Sequence, residues 1–222
     1  EIHPVRNWKL SAYFDVYKFP WLRYAAYSPS SGNEFFSVLE YSHNRNIDMY
    51  LRYKQESVDK NSKIDYTGAL PLYRNLKREV RFHINYSLSK NITLKNRIVF
   101  SDYNDDSGED KKGFLLYQDV NYLFELIPLK MNLRIAIFDA AYDARIYAYE
   151  NDILYGYSIP GLSGRGVRSY ITLKYTVIED FLDIWLRFAN SSFTDRDVIG
   201  SSYDEIQGNH RSEVKFQIRL KF

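Results

Sequence analysis

The segment EVKFQIRLKF, Glu213 to Phe222, sets the pattern by which the whole chain is read. Val214, Phe216, Ile218, Leu220 and Phe222 take every second position, with Glu213, Lys215, Gln217, Arg219 and Lys221 between them. Successive side chains of a strand point to opposite faces, so this is a ribbon with one greasy and one charged surface. The period recurs upstream. Trp8, Leu10, Ala12, Phe14 and Val16 alternate with Lys9, Ser11, Tyr13, Asp15 and Tyr17. Asn33 to Tyr41 is β-prone, although the Phe35-Phe36 pair blurs its period. Ile47, Met49, Leu51 and Tyr53 oppose Asp48, Tyr50, Arg52 and Lys54, and Val80, Phe82, Ile84 and Tyr86 oppose Arg81, His83, Asn85 and Ser87. Ile92, Leu94, Ile98 and Phe100 follow, interrupted by Asn96, and then Phe114, Leu116, Val120 and Tyr122 opposite Tyr117, Asp119 and Asn121. Met131 to Ile137 oppose Asn132 and Arg134; Ile171, Leu173 and Tyr175 oppose Arg168, Tyr170, Thr172 and Lys174; Leu182 to Phe188 oppose Asp183, Trp185 and Arg187. No segment keeps a capped 3.6-residue apolar period, so the expected class is all-β.

The connections alternate in length. Short ones fall at His43 to Asn46, Leu88 to Asn91, Phe124 to Leu129 and Val177 to Phe181. Long polar ones fall at Pro20 to Gly32, Glu56 to Asn75, Asp102 to Lys112, Asp139 to Gly166 and Asn190 to Arg211. Short turns at one rim and long loops at the other are the layout of an up-and-down transmembrane barrel, here of about ten strands. Tyr142 to Ile159 is open to two readings, a hairpin inside a large outer loop or two further spanning strands.

Composition narrows the functional classes. Thirty Lys and Arg against 28 acids leave a net charge of +2 over 222 residues, no bulk support for a nucleic-acid partner. The absence of cysteine excludes disulfides and thiolate metal sites. No apolar run approaches the roughly 20 residues of a spanning helix, whereas a barrel strand needs only about 9–11 residues with one apolar face. Twenty-one Tyr, 14 Phe and 3 Trp suit an aromatic girdle at a bilayer interface, although aromatics favour strands in general. Glu1-Ile2-His3-Pro4 lacks the features of a signal peptide, so the chain is expected to be a processed form or a fragment, and residues 1–222 read as a single β-barrel domain, closed by itself or completed by preceding strands or a partner chain.

Alternation alone cannot say which face is inside. A soluble lipocalin-like barrel buries its apolar face, whereas a membrane barrel turns that face to lipid and lines its interior with polar groups. The polar face mixes long charges of both signs: Arg81, His83, Arg97, Asp119, Arg134, Arg168, Lys174, Arg187, Glu213 and Arg219 are the candidate lumen residues. The final segment adds weight. EVKFQIRLKF resembles the C-terminal signal of bacterial outer-membrane barrels, which that family's assembly machinery reads; the matching positions are Val214, Phe216, Ile218, Leu220 and Phe222. A narrower resemblance rests on YDARIYAYENDILYGYSIPGLSGRG (Tyr142 to Gly166), DIWLRF and IGSSYDEIQGNHRSEVKFQIRLKF. These stretches are similar to the C-terminal barrel region of bacterial outer-membrane proteins that carry a helix-hairpin-helix segment nearer their N-terminus. The likeness implies a Gram-negative outer membrane location and that residues 1–222 form the C-terminal part of a longer protein. It carries no DNA-binding role to these residues, because no helix-hairpin-helix pattern occurs here.

Other motifs carry less. Ser101 to Gly113, SDYNDDSGEDKKG, gathers oxygen ligands suited to calcium, but Ser107 stands where an EF-hand frame wants glycine, and a solvated acidic loop is the favoured reading. His3, His43, His83 and His210 show no metal spacing. Asp139, Asp143, Asp204 and His210 at the outer rim would suit a rim protease, without a signature to fix their geometry, and no GxSxG elbow supports a lipase. Gly161 to Gly166 leads into a strand rather than a helix, so it reads as an outer loop or bend, not a phosphate cradle. The basic series Arg81, Arg97, Arg134, Arg168, Lys174 and Arg187 would favour anion passage, against internal salt bridging with Asp48, Asp119, Asp183 and Glu213. The expectation is a non-enzymatic outer-membrane barrel, acting as scaffold, pore or partner-binding subunit, without cofactor or metal. Its partners would be membrane lipid, the barrel assembly machinery and other membrane subunits. Its rivals are a rim hydrolase and a soluble lipocalin-like binding module.

Overall fold

A computed structural model describes residues 1–43, 46–62 and 71–222. Ten long strands form one antiparallel sheet: β1 (Trp8–Phe19), β2 (Ser30–His43), β3 (Ile47–Asn61), β4 (Leu72–Ser87), β5 (Ile92–Asn104), β6 (Lys111–Leu123), β7 (Leu129–Ala140), β10 (Gly164–Ile178), β11 (Leu182–Phe193) and β14 (His210–Leu220). Each pairs with the next long strand in chain order, an up-and-down meander. The short ladders β8 (Ile146–Tyr147) with β9 (Gly161–Leu162), and β12 (Val198–Ile199) with β13 (Ile206–Gln207), lie in the two longest connections.

The strands extend past the apolar alternation on the long-loop side. β5 continues to Asn104 and β6 starts at Lys111, so the acidic connection shrinks to residues 105–110. The turn expected at His43 to Asn46 and the loop expected at Glu56 to Asn75 fall partly outside the described residues. The Phe35-Phe36 ambiguity resolves in the register: Phe35 stands opposite Phe14 on one face, and Phe36 stacks on Tyr13 on the other with centroids 5.1 Å apart.

Which face is buried is now clear. Val214, Phe216, Ile218 and Leu220 are exposed, Phe216 at 62%, while Arg187 and Tyr170 on the charged face are 0% and 2% exposed. The exposed apolar face continues through Phe188 and Leu186 on β11, Ile135 and Ile137 on β7, Phe100 on β5, Phe82 and Val80 on β4, and Phe14 and Val16 on β1. On β5 this face runs from Ile92 to Phe100, about 26 Å at the usual strand rise of about 3.3 Å. It is bounded on the long-loop side by outward charges, Arg78 with Asp102 and Arg165 with Asp139. Toward the short turns it ends in aromatics, including Trp8 against Tyr41 and Tyr122 against Phe124. Polar residues within the band face one another, Asn96 opposite Gln118, and Asn190 opposite Ser169 and hydrogen-bonded to Ser212.

The charged face is concave. Asn151, in the connection between β7 and β10, reaches four consecutive strands at once. Its side-chain amide donates to Asn121 Oδ1 on β6 and Asn132 Oδ1 on β7, while its carbonyl accepts from Thr172 Oγ1 on β10 and Arg187 Nε on β11. The same connection also accepts from Lys77 on β4 at Arg145 O and from Lys215 on β14 at Asp152, so seven neighbouring strands, spaced about 4.8 Å apart, turn one face toward it. The sheet therefore wraps around the 141–163 connection. Of the two arrangements weighed from sequence for Tyr142 to Ile159, the structure shows the first, an irregular hairpin within the connection: Ile146 and Tyr147 pair with Leu162 and Gly161, and Glu150 bridges Ser158, with Ile146, Ala148 and Glu150 turned against the concave face.

The sheet is not closed. Its order begins at β1 and ends at β14, and no ladder joins them among the described residues; of the forms open from sequence, a barrel closed by itself or one completed by further strands, the first is not found. One cause is visible at the β1 edge. The Ile2 N–H donates to Leu10 O and the Leu10 N–H to Ile2 O, both at 2.9 Å, so Ile2 takes the backbone groups a closing strand would need there.

The insert is seated on small residues. Ile146, Ala148 and Leu162 pack with Val99, Leu115 and Phe138, and Ala136 and Ala140 on β7 leave room. At Gly113 a Cβ would sit 2.6 Å from the Ala144 carbonyl oxygen, so any side chain collides with the insert's backbone. Gly113→Val is accordingly expected to lift the insert off the sheet. Limited proteolysis would then cut within residues 142–160 of the variant but not of the parent, while the far-ultraviolet circular dichroism of the strands is retained.

Candidate functional site

All ten residues singled out from sequence for the interior lie on the concave face, but they divide into two groups. Arg134 donates from Nε and Nη2 to both oxygens of Asp119, its direct cross-strand partner, and from Nη1 to the Tyr149 carbonyl at 2.7 Å. Its guanidinium lies 3.7 Å over the Tyr117 ring. Arg168 makes the same two-pronged contact with Glu150, at 2.6 and 2.8 Å, and a third hydrogen bond to Ser191. Arg187 shares Glu150, and its other amino group donates to Glu213 at 2.8 Å. Asp183 accepts from Thr176 and is ion-paired to Lys174 and Arg219. Two-pronged guanidinium–carboxylate pairs are the strongest of the charged hydrogen bonds, and they fix both partners in one orientation.

Arg81, His83 and Arg97 form the other group, on β4 and β5. Arg81 shares Glu79 with Arg52. His83 packs its ring against Tyr50 and stands opposite Arg97. Arg97 lies over Tyr117 and has no ion-pair partner among the described residues.

Sequence reasoning missed Glu79, Glu150 and Asp152. The first sits outside the run used to define its strand. The other two lie in a stretch read as loop, yet a signal was present: Ala144, Ile146, Ala148 and Glu150 alternate with Arg145, Tyr147 and Tyr149, and the four are buried. Asp152 accepts from Lys215 Nζ at 2.7 Å and lies 3.8 Å from Arg187. Burial, the largest single effect, opposes its charge, but the Lys215 and Ile153 N–H hydrogen bonds together with the nearby Arg187 and Lys215 charges outweigh it and hold its carboxyl below the ordinary carboxylate value. Of the acids named beforehand, Asp119, Asp183 and Glu213 do carry bridges, whereas Asp48 carries none among the described residues.

The five residues of the C-terminal signal do not join this network. Val214, Phe216, Ile218 and Leu220 face outward, and Phe222, just past β14, sets its ring edge-on to Phe181. The rim acids are dispersed: Asp139 pairs with Arg165, Asp143 with Lys111, Asp204 lies in an exposed turn and His210 opens β14 opposite Ser192. Asp105, the most buried acid of the acidic connection, is held by Lys111 at 2.6 Å. Among the described residues no group of three or more His, Asp or Glu is arranged to hold a metal. The Gly161 to Gly166 stretch is mostly strand, β9 followed by the start of β10, rather than a free loop. A cavity of about 400 Å³ opens beside it, lined by Tyr157, Pro160, Arg168, Arg196, Arg211 and Glu213.

Neither a protein-family model nor a curated protein matches the chain.

Glu150 is the acid on which two buried guanidiniums depend. Removing one partner of a buried pair leaves the other charge uncompensated, at a cost of about 3–5 kcal/mol. Glu150→Ala is expected to lower stability by about that amount in urea unfolding of the refolded chain in detergent. Asp152 adds a pH term. Its stabilisation is full above the unfolded carboxylate value and is lost as pH falls through its lower folded value, so the insert should loosen at acid pH in the parent and less so in Asp152→Asn.

Proposed function

We propose that the chain forms the wall of a bacterial outer-membrane β-barrel, with its apolar face against acyl chains, and that it acts as a non-enzymatic scaffold or partner-binding subunit. The observation that carries this is the inverted polarity: a broad band of exposed Phe, Ile, Leu and Val on one face, and buried arginines on the other. A soluble barrel or sandwich of this size has no physical reason to expose that band, because patches beyond a few hundred Å² mark contact with a partner or a membrane. The band's height of about 26 Å along β5 matches the roughly 25 Å apolar belt of outer-membrane barrels, and aromatics border it near the short turns. The likeness of EVKFQIRLKF to a C-terminal assembly signal, and of Tyr142 onward to the barrel region of helix-hairpin-helix-containing outer-membrane proteins, supports the same reading.

Scaffold or subunit is favoured over open pore because the 141–163 connection fills the concave face from β6 to β14. In hydrocarbon every backbone N–H and C=O needs a partner, so the two open edges must be covered, by each other after Ile2 is displaced or by further strands. The chain runs from the short-turn rim on β1 and returns to it on β14, so the two edges are antiparallel, as closure requires.

The test is insertion into preformed phospholipid vesicles, read as co-flotation and protection from added protease. Phe216→Arg places a charge in the middle of the proposed lipid face and is expected to cost about 2–4 kcal/mol and abolish protection. Lys215→Gln, one residue away on the concave face, is expected to insert. Equal insertion of both variants, or a monodisperse parent protein without detergent, would overturn the proposal.

A further inference from the structure

The arginines of the concave face differ in how they are satisfied. Under the insert, the Nε atoms of Arg134, Arg168 and Arg187 find acceptors on Asp119, Glu150 and the Asn151 carbonyl, while that of Arg219, farther along β14, finds none although its amino group is paired with Asp183. On β3 to β5 the Nε atoms of Arg52, Arg81 and Arg97 are buried and have no hydrogen-bond acceptor among the described residues. Buried donors left in this state are destabilising, charged ones most of all, so three on adjacent strands call for an account. They are also close together. Arg52 and Arg81 are direct cross-strand partners, and Arg97 is diagonal to Arg81, because Arg81 pairs with Val99 and His83 with Arg97. Cross-strand neighbours lie about 5 Å apart at Cβ and diagonal ones about 7–8 Å, within reach of a common ligand for side chains of this length.

The protein's own acids do not balance this cluster. Glu79 is shared by Arg52 and Arg81, and Arg97 has none. The insert has no acid left for it: Asp143 is engaged by Lys111, Glu150 by Arg168 and Arg187, and Asp152 by Lys215. Within this cluster three guanidiniums are set against the one carboxylate of Glu79, an excess of two, while Glu56 farther along β3 stands opposite Lys77. Beside them lies a cavity of about 250 Å³ lined by Arg52, Lys54, Glu56, Lys77 and Glu79.

We propose that Arg52, Arg81 and Arg97 form a binding site for a small dianionic oxyanion, a phosphate or phosphate monoester. The charge of such a ligand equals the excess. Its tetrahedral oxygens accept from several guanidinium donors at once, the geometry that makes arginine the preferred partner of phosphate. Tyr50 and Tyr117, flanking His83 and Arg97 on the neighbouring strands, limit where it can sit. The site lies on the concave face and does not depend on what the convex face meets, so failure of vesicle insertion would leave it standing.

The experiment uses the full chain refolded in detergent micelles, with thermal unfolding followed as inorganic phosphate replaces chloride at constant ionic strength. A saturable rise in Tm is expected for the parent and for Arg165→Gln, a control on the outward face. Arg97→Gln should weaken the phosphate midpoint about tenfold or more. In phosphate-free buffer Arg97→Gln should be at least as stable as the parent, because it removes a buried charge that lacks a partner. Glycerol phosphate in place of inorganic phosphate distinguishes an ester-bearing ligand from the free ion. Equilibrium dialysis of the parent with labelled phosphate, expected to reach one per chain, reads the site even if the variant does not fold. No saturable phosphate effect, an unchanged midpoint in Arg97→Gln, or loss of stability of that variant without phosphate would overturn the proposal.

Discussion

Charge compensation on the concave face is the constraint from which most of this structure follows. Burying an arginine without a partner costs several kcal/mol, so each guanidinium turned inward must meet a carboxylate or a set of carbonyls within hydrogen-bond reach. Cross-strand register supplies some of these partners directly, as with Asp119 and Arg134. It cannot supply all, because β7, β10, β11 and β14 present more bases than acids near their centres. The connection between β7 and β10 delivers the missing acids, Glu150 and Asp152, from above the sheet. The insert is thus fixed by charge at its tip and by apolar packing of Ile146 and Ala148 nearer the rim.

This arrangement ties curvature to sequence. A sheet whose strands must all reach Asn151, Glu150 and Asp152 cannot lie flat, and alanines at 136, 140 and 189 keep the concave side shallow enough for a backbone to pass. The outer surface has no such requirement. Its apolar residues contact one another across strands, but their outward surface stays open, so their alternation has to be satisfied by something other than this chain. Under the proposed insertion that something is lipid, and the charged pairs Arg78–Asp102 and Arg165–Asp139 mark where the hydrocarbon would end.

What was legible in the sequence follows from these physics. A period of two is a local property of each segment, so the strands, their polarity and the alternating loop lengths could be read directly; Glu213 to Leu220 behaves in the structure as its pattern implies. Pairings that depend on a long connection folding back were not legible. Glu150 meets Arg168 and Arg187 across 18 and 37 residues, and the only local trace was the alternation of Ala144, Ile146 and Ala148 before it. Closure was left open by the pattern. An even strand count with both ends at one rim permits β1 to meet β14 but does not require it, and the Ile2–Leu10 bridge is too short a feature to predict from pattern. Likewise the basic series looked uniform along the chain, and only the three-dimensional distribution of acids separates its paired members from Arg97.

That separation bears on how the interior is organised. If the insert served only to fill space, apolar residues of equal volume would do so with less desolvation. Instead it distributes two carboxylates over one half of the face and leaves the other half with a surplus of cations and unpartnered Nε donors. The boundary between the halves runs along β5 and β6, where Arg97 and Arg134 approach the same ring, Tyr117, from opposite sides of the register. A tyrosine ring accepts cation contacts without carrying charge, so it can stand between two guanidiniums while transferring none of Asp119's compensation from one to the other. The imbalance is therefore held in place by the side chains that separate the two halves, and it persists as long as Asp119 remains committed to Arg134.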